Sequence, residues 1–404
     1  MPHIRFINNN TLTNTQFIDS KEDDIIFSFF TKLYNIDKKR VKEEYKIGIL
    51  SNSKEFLLTI YKKDNGYFIK PDKITRIDDI ELIKKSLNKY IQLTNSKIIF
   101  SNTNSIKNIF NKNIINHNKY LKNIDYFVND FNKIDKIQIE IGFGSGRHLI
   151  YQALSNKDIT FIGIEIYSPA IEQVLKQISI QNIENILILN YDARLFMEFI
   201  QSNTVEKIFL HFPVPWDKKE HRRVYSKQFI NESLRILKQK GTLELRTDSK
   251  NYFDYALSLL KDFDKSQIEI KINNDLEINS KYEDRWKKQD KDIYDIFLIS
   301  KTNDRKIYNN YNFEFKKKID IKEKYKDYIK KHILEKDYFI HIQNIYLSKN
   351  DIILIKVTFG SFNKPVSKYI FIRDNMASYY QGIPLASNAN IKAHNRLKEV
   401  LYND

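Results

Sequence analysis

An α/β unit on a mainly parallel sheet, with α+β accessory regions at both ends, is the fold class this 404-residue sequence predicts. Three observations carry that prediction. From Lys136 onward, continuous apolar runs of strand length alternate with amphipathic helical stretches. The first of these runs leads straight into a glycine turn, Gly142-Phe143-Gly144-Ser145-Gly146. The segments before and after lack that alternation, and the length exceeds one ordinary core, so two or three domains are expected.

The elements follow in order. Phe56–Tyr61 and Tyr67–Lys70, joined across Lys62–Gly66 with its Asn-Gly pair, read as a β-hairpin. Ile80–Leu93 has the apolar spacing of a helix. Ser101–Asn123 is Asn-rich and weakly periodic, a linker candidate that closes an accessory region over 1–120. The main unit, 121–303, then supplies strands at KIQIEI, TFIGIEI, NILILNYD, KIFLHF and GTLELRTD, with IYDIFLISK as a late closing strand. Helices are expected at IEQVLKQI, Ser226–Gln239 and Asn251–Asp262. The last part, 304–404, has the order α-β-β-β-α, with helices at Ile319–Leu334 and Ile391–Tyr402. That order matches double-stranded-RNA-binding domains, and residues 301–404 carry 20 Lys+Arg against 11 Asp+Glu, a net of +9.

Composition narrows the partners. Hydrophobic residues at 42% and aromatics at 13% suffice for real cores. The formal charge of +16 favours a polyanion, although lysine is spread through the whole chain, so one loop's local charge is the sharper pointer. There is no cysteine, hence no disulfide and no thiolate metal site or nucleophile. MPHIRFINNNTLTN lacks the apolar run of a secretory signal and no run is long enough to span a bilayer, so a cytoplasmic protein away from membranes is expected.

Chemistry gathers at the ends of the strands. Glycines at alternate positions let backbone turn tightly and approach a ligand. Arg147 stands where a dinucleotide-binding turn would place a third glycine, and Glu140 precedes the first glycine by two residues. That pattern points to S-adenosylmethionine, whose amino-acid end needs acceptors and backbone contacts. Glu165 ends the second strand, where a carboxylate can accept both ribose hydroxyls, and Asp192 ends the third, within reach of an adenine amino group. Singly, each acid reads as a solvated strand end; three in succession beside a glycine turn mark the switch point of an α/β sheet. The loop His211–Tyr225, HFPVPWDKKEHRRVY, follows the fourth strand and holds two of the seven prolines and one of the two tryptophans. Its Lys218, Lys219, Arg222 and Arg223 can pair with phosphates, and Asp248 ends the fifth strand on the same edge.

Taken together, EIGFGSGRHL, GIEIYSPA, NYDAR, FPVPWDKKEHRR, LRTD and SKYEDRW resemble the bacterial tRNA (guanine-N7-)-methyltransferase family. The resemblance covers roughly Lys136–Lys301. It implies a class I S-adenosylmethionine-dependent methyltransferase fold, Rossmann-like with a mainly parallel seven-stranded sheet. It also implies methylation of a guanine in the tRNA variable loop, with tRNA as partner and no metal. Carried over, the cofactor would be held by Glu140, Gly142, Gly144, Gly146, Glu165, Asp192, Ala193 and Val214. Lys218, Arg222, Arg223, Asp248, Ser280, Lys281, Tyr282 and Glu283 would contact the RNA. The family's loop reads FPDPW, with the aspartate as the catalytic group; this chain has Val214 there and Asp217 three residues on. Guanine N7 carries an in-plane lone pair and needs no deprotonation, so Asp217 and Asp248 are the candidate catalytic carboxylates. The competing readings are an inactive RNA-binding protein on this scaffold and a methyltransferase acting on another RNA.

Overall fold

A computed structural model describes residues 1–8, 21–22, 24–34, 43–63, 65–103, 119–129, 131, 134–261, 263–264, 266–275, 291–305, 311–319 and 331–402. Two compact units result: Phe110–Asn310, and a second made jointly by Met1–Ile109 and Tyr311–Asp404. No helix among the described residues is long and apolar enough to cross a membrane.

In the central unit, Ile137–Ile141, Thr160–Ile164, Ile186–Leu189, Val205–His211 and Leu237–Thr247 pair in parallel. Tyr294–Ser300 runs antiparallel beside Leu237–Thr247, and Ser266–Ile272 closes that edge. A two-residue strand, Leu121–Lys122, extends the other edge. Numbered along the chain, the seven longer strands lie in the order 3-2-1-4-5-7-6. Strands 2 and 4 leave strand 1 on opposite sides, which opens a crevice at its carboxyl end.

Both faces of this sheet are covered, which is why its strands read as unbroken apolar runs. Phe161 packs with Leu149, Val174 and Ile178 from the helices Arg147–Ser155 and Ser168–Ile180. Its neighbours Ile162 and Ile164 turn to the other layer, with Ile230 and Tyr252 of the helices Lys227–Ile236 and Lys250–Leu260. Ser226 and Ser249 cap those two helices by accepting from the amides of Phe229 and Tyr252. The first of them ends at Ile236, short of the expected Gln239, because Leu237 already pairs with Val205 as strand.

The flanks differ from expectation. Regions 1–120 and 304–404 read as separate accessory parts, yet they share one twelve-stranded sheet. The hairpin forms as Lys54–Lys63 and Gly66–Pro71, with Lys63 opposite Gly66, and the helix spans Ile80–Leu93, capped by Asp79. Three N-terminal strands that the sequence reading passed over, Ile4–Ile7, Ile25–Leu33 and Glu44–Ser51, complete that half with the edge strand Lys97–Ser101. Phe339–Leu347 then pairs antiparallel with Ile25–Leu33, joining Tyr346 to Leu33 and Leu347 to Lys32. Beyond it lie Ile353–Gly360, Val366–Arg373 and a fourth strand, Met376–Tyr380, with the last helix at Asn388–Tyr402. An isolated α-β-β-β-α domain is therefore not what forms. Most of the helix expected at Ile319–Leu334 lies outside the described residues, and His332–Leu334 is strand.

A buried polar knot ties the two ends together. The Lys46 ammonium donates to Thr59 Oγ1 and Asp72 Oδ2, each at 2.8 Å, and lies 3.3 Å from Glu44. Tyr346 and Tyr369, from the C-terminal strands, donate their hydroxyls to Glu44 at 2.8 Å and Asp72 at 2.9 Å. The ammonium also sits 5.4 and 5.6 Å from the centres of those two rings. Burial alone would raise the Asp72 carboxyl, but Lys46 together with the Ile74 amide and the Tyr369 hydroxyl outweighs it and holds it below the usual range.

Candidate active site

The three turn glycines all adopt positive φ (68°, 51° and 71°), which side chains resist. They do two different jobs. A Cβ on Gly142 would meet nothing within 4 Å, and one on Gly144 only the Gly142 carbonyl at 3.9 Å, so the turn faces open space. A Cβ on Gly146 would lie 2.4 Å from Val174 Cγ2, so this glycine lets two helices approach. Gly146→Ala is expected to cost roughly 1–3 kcal/mol, read as a lowered Tm of the central unit.

Glu165 meets this turn directly. Its carboxylate accepts from Gly144 N–H at 3.2 Å on one oxygen, and from Ile166 and Tyr167 N–H at 2.7 and 3.0 Å on the other. Asp192 caps the short helix Ala193–Phe196 through Arg194 N–H at 3.0 Å. The Arg194 guanidinium grips the same carboxylate at 3.0 and 2.6 Å. Ala193 is buried behind it. The sequence reading missed Arg194, although it stands only two residues from the acid.

Beneath the turn lies a second group it did not foresee. Glu140 is buried, and its carboxylate is 2.8 Å from His148 Nδ1. Burial would lower the His148 pKa, but the charge and hydrogen bond of Glu140 outweigh it and raise it. The His148 ring lies 4.7 Å from that of His211, whose Nε2 is 2.8 Å from buried Glu244; Lys207 sits 3.2 Å from the same acid. The signal was register: Glu140, Phe209 and Glu244 stand opposite one another on neighbouring strands, on one sheet face. Burial pushes the Glu244 carboxyl up, yet His211 and Lys207 bring it down to about 2 from 4.5. With a depressed folded pKa, this acid contributes stability above about pH 4.5 and loses it as pH falls towards 2. Glu244→Gln should therefore flatten that acid limb, an effect on the order of 3 kcal/mol, in urea melts taken between pH 5 and 2.5.

The proline loop crosses the carboxyl edge with strained backbone: Phe212 and Trp216 have φ of 48° and 47°. Its stiffness comes from an arginine as well as from prolines. Arg223 was expected on RNA phosphates, but it is buried at 3% exposure. Its guanidinium donates to the Pro215 carbonyl at 2.8 Å and to Glu220 at 3.1 Å, and packs on the rings of Tyr255 and Tyr252. Asp217, half-exposed, is 3.5 Å from it. Arg222 instead covers the Trp216 ring at 5.0 Å, and Lys218 and Val214 are exposed, Val214 at 61%. Asp248 follows the fifth strand and is 3.8 Å from Lys291. Ser280, Lys281, Tyr282 and Glu283 lie outside the described residues.

A mainly parallel sheet in this order, with Tyr294–Ser300 as its one antiparallel long strand among the described residues, a glycine turn and acids at the ends of strands 1, 2 and 3, defines a class I methyltransferase. A family profile described as "Putative methyltransferase" matches residues 135–296. The likeness to individual relatives runs much further, into both flanks. A tRNA (guanine-N(7)-)-methyltransferase of Campylobacter jejuni is 40% identical over 392 residues, 94% of each chain. The enzyme of that name from Wolinella succinogenes is 40% identical over 353 residues, 86% of this chain and 88% of its own. That from Helicobacter hepaticus is 38% identical over 382 residues, covering 88% and 93%. The chain belongs to the tRNA (guanine-N(7)-)-methyltransferase family.

Proposed function

We propose that this chain transfers the methyl group of S-adenosylmethionine to N7 of a guanine in the tRNA variable loop, on the crevice between strands 1 and 4. The single observation that carries this reading is the open glycine turn flanked by Glu140, Glu165 and Asp192. Those residues suit the cofactor: Gly142 and Gly144 leave room where a Cβ would stand, and Glu165 is held at the turn by three amides. Glu165 would take the ribose hydroxyls, Asp192 the adenine end and Glu140 the amino-acid end. When bound, the cofactor supplies an electrophilic methyl on a cationic sulfur.

The protein's share of the chemistry is alignment and charge. The N7 lone pair is ready to attack, so no base is required, and rate comes from holding nucleophile and methyl in line. Transfer leaves the purine cationic, which a nearby carboxylate stabilises. Asp217 and Asp248 are the carboxylates beside the loop, and Lys218 and Arg222 would hold the RNA backbone. Arg223 acts through the loop: it is a positioning residue. Asp217→Asn and Asp248→Asn are each made, and at least one is expected to lower kcat tenfold or more, an order-of-magnitude figure for such stabilisation. Wild-type rates in both would remove the carboxylate role. Digesting bulk tRNA after incubation with labelled cofactor tests the function itself. N7-methylguanosine is the expected product, and its absence would sink the reading.

A further inference from the structure

The flanking unit's sheet is covered on one side near its edge. Helix Ile80–Leu93 buries Ile4, Phe6, Ile60 and Ile69 there. On the other side, the pairing register lines Tyr61 up with Phe68, Phe68 with Arg5, and Arg5 with Phe100. Four rings stand in a row, three on strands and the fourth, His3, just before Ile4–Ile7. Tyr61 and Phe68 stack at 5.1 Å, Phe68 and His3 at 4.8 Å, and His3 meets Phe100 at 5.4 Å. The Lys70 ammonium caps Tyr61 at 5.1 Å and Phe68 at 6.0 Å. The row ends at the edge strand, where Phe100 is 52% exposed beside Ile99 at 48%.

Charge identifies the occupant. The four strands Ile4–Ile7, Lys54–Lys63, Gly66–Pro71 and Lys97–Ser101 carry six basic residues (Arg5, Lys54, Lys62, Lys63, Lys70 and Lys97) against one acid, Glu55. Lysines alone would read as protection of a sheet edge against pairing. An exposed Phe100 in the same strand works against that purpose, and a protein interface core is typically poor in lysine. Rings interleaved with cations suit unpaired nucleotides, whose bases stack while their phosphates pair with lysine and arginine.

We propose that this row is a base-stacking face for an unpaired segment of the RNA substrate. Bases stack on Phe100 at the open end, and Arg5, Lys63, Lys70 and Lys97 take the phosphates. The proposal rests on the tRNA reading above and adds a second contact region, within the flanking unit.

The test uses the full chain, a tRNA transcript and a fluorescent single-stranded oligonucleotide. Phe100→Ala should raise the tRNA Kd about five- to a hundredfold, the range for loss of one stacked base. Calorimetric affinity for S-adenosylhomocysteine should stay unchanged, which reports that the protein is folded. A Lys63→Gln/Lys70→Gln/Lys97→Gln variant, which keeps the rings, should lower the slope of log Kd against log salt by about one per lysine removed. The oligonucleotide should compete with tRNA better than a duplex of equal length. Wild-type tRNA affinity and salt slope in both variants would overturn the stacking face, as would a change in oligomeric state alone. If the wild type makes no N7-methylguanosine but Phe100→Ala still weakens RNA binding, the assigned reaction fails and the face stands.

Discussion

Lys46→Met is expected to destabilise the flanking unit by roughly 3–5 kcal/mol, the usual loss when one member of a buried ion pair is removed. The cation is 3% exposed and is the only one that touches both Asp72 and Glu44 in the described structure. Methionine fills the space but leaves two carboxylates in a site whose remaining donors include the hydroxyls of Tyr346, Tyr369 and Thr59 and the Ile74 amide. Because the chain has two units, a single transition is not assumed. Hydrogen exchange of Glu44–Ser51 against Ile137–Ile141 separates the unit that loosens from the one that does not. Lys46→Met with Asp72→Asn should recover part of the loss, since the second change removes one stranded charge; no recovery would mean that packing, not charge, sets the cost. The sign with pH follows from Asp72, whose pKa is lowered in the fold. Its contribution is present above the ordinary carboxylate range and fades as pH falls through the depressed value.

The second large effect concerns the cofactor. Glu140→Gln is expected to weaken S-adenosylhomocysteine binding by roughly 2–5 kcal/mol, at least about thirtyfold in Kd. With Glu140 as the proposed partner of the ligand's ammonium, His148 is expected to make the same affinity depend on pH. Protonated, it would pair with Glu140 and compete with that ammonium; neutral, it would donate one hydrogen bond and leave the charge to the ligand. Since the folded His148 pKa is raised, the protonated form persists above pH 6.5, and affinity should fall as pH is lowered through that titration. The groups facing His148 are Glu140, Gln152, His211, Glu244 and, further out, Lys207. His148→Gln keeps a donor without titrating and should flatten the profile. 5′-Methylthioadenosine, which lacks the amino-acid end, should show no such dependence with either protein. A sloping profile in His148→Gln would assign the titration elsewhere.

How much of this was legible follows from what kind of pattern each feature leaves. The central sheet could be read because both its faces are buried, so apolar runs and strand-end acids are local signals. Glu140, Glu165, Asp192 and the glycine turn could be placed at the strand ends that way. The hydrogen-bond partners were not, because Glu140, His211 and Glu244 come together through the register of three strands and His148 joins them from the helix Arg147–Ser155, and spacing along the chain does not record register. Arg223 was misread for a related reason. It lies in a basic run whose other members are exposed, and only Tyr252 and Tyr255, about 30 residues on, draw it inward. The flanks defeated the reading most completely, since Tyr346 and Glu44 are 302 residues apart in sequence.

That separation has a consequence for how the protein is made. The enzyme's central unit, Phe110 to Asn310, is inserted between two parts of one sheet, so Ile25–Leu33 leaves the ribosome about 306 residues before its partner strand Phe339–Leu347. At roughly 5–20 residues per second, the edge of Ile25–Leu33 waits about 15–60 seconds for Phe339–Leu347. Until translation reaches the C-terminus, Lys46 lacks the two rings that enclose it, and a strand rich in phenylalanine stands open to pairing with a neighbouring nascent chain. The strands from Phe339 onward thus complete the chain's own assembly: synthesis halted between Asn310 and Phe339 leaves the flanking sheet unfinished although every strand of the central sheet has been made.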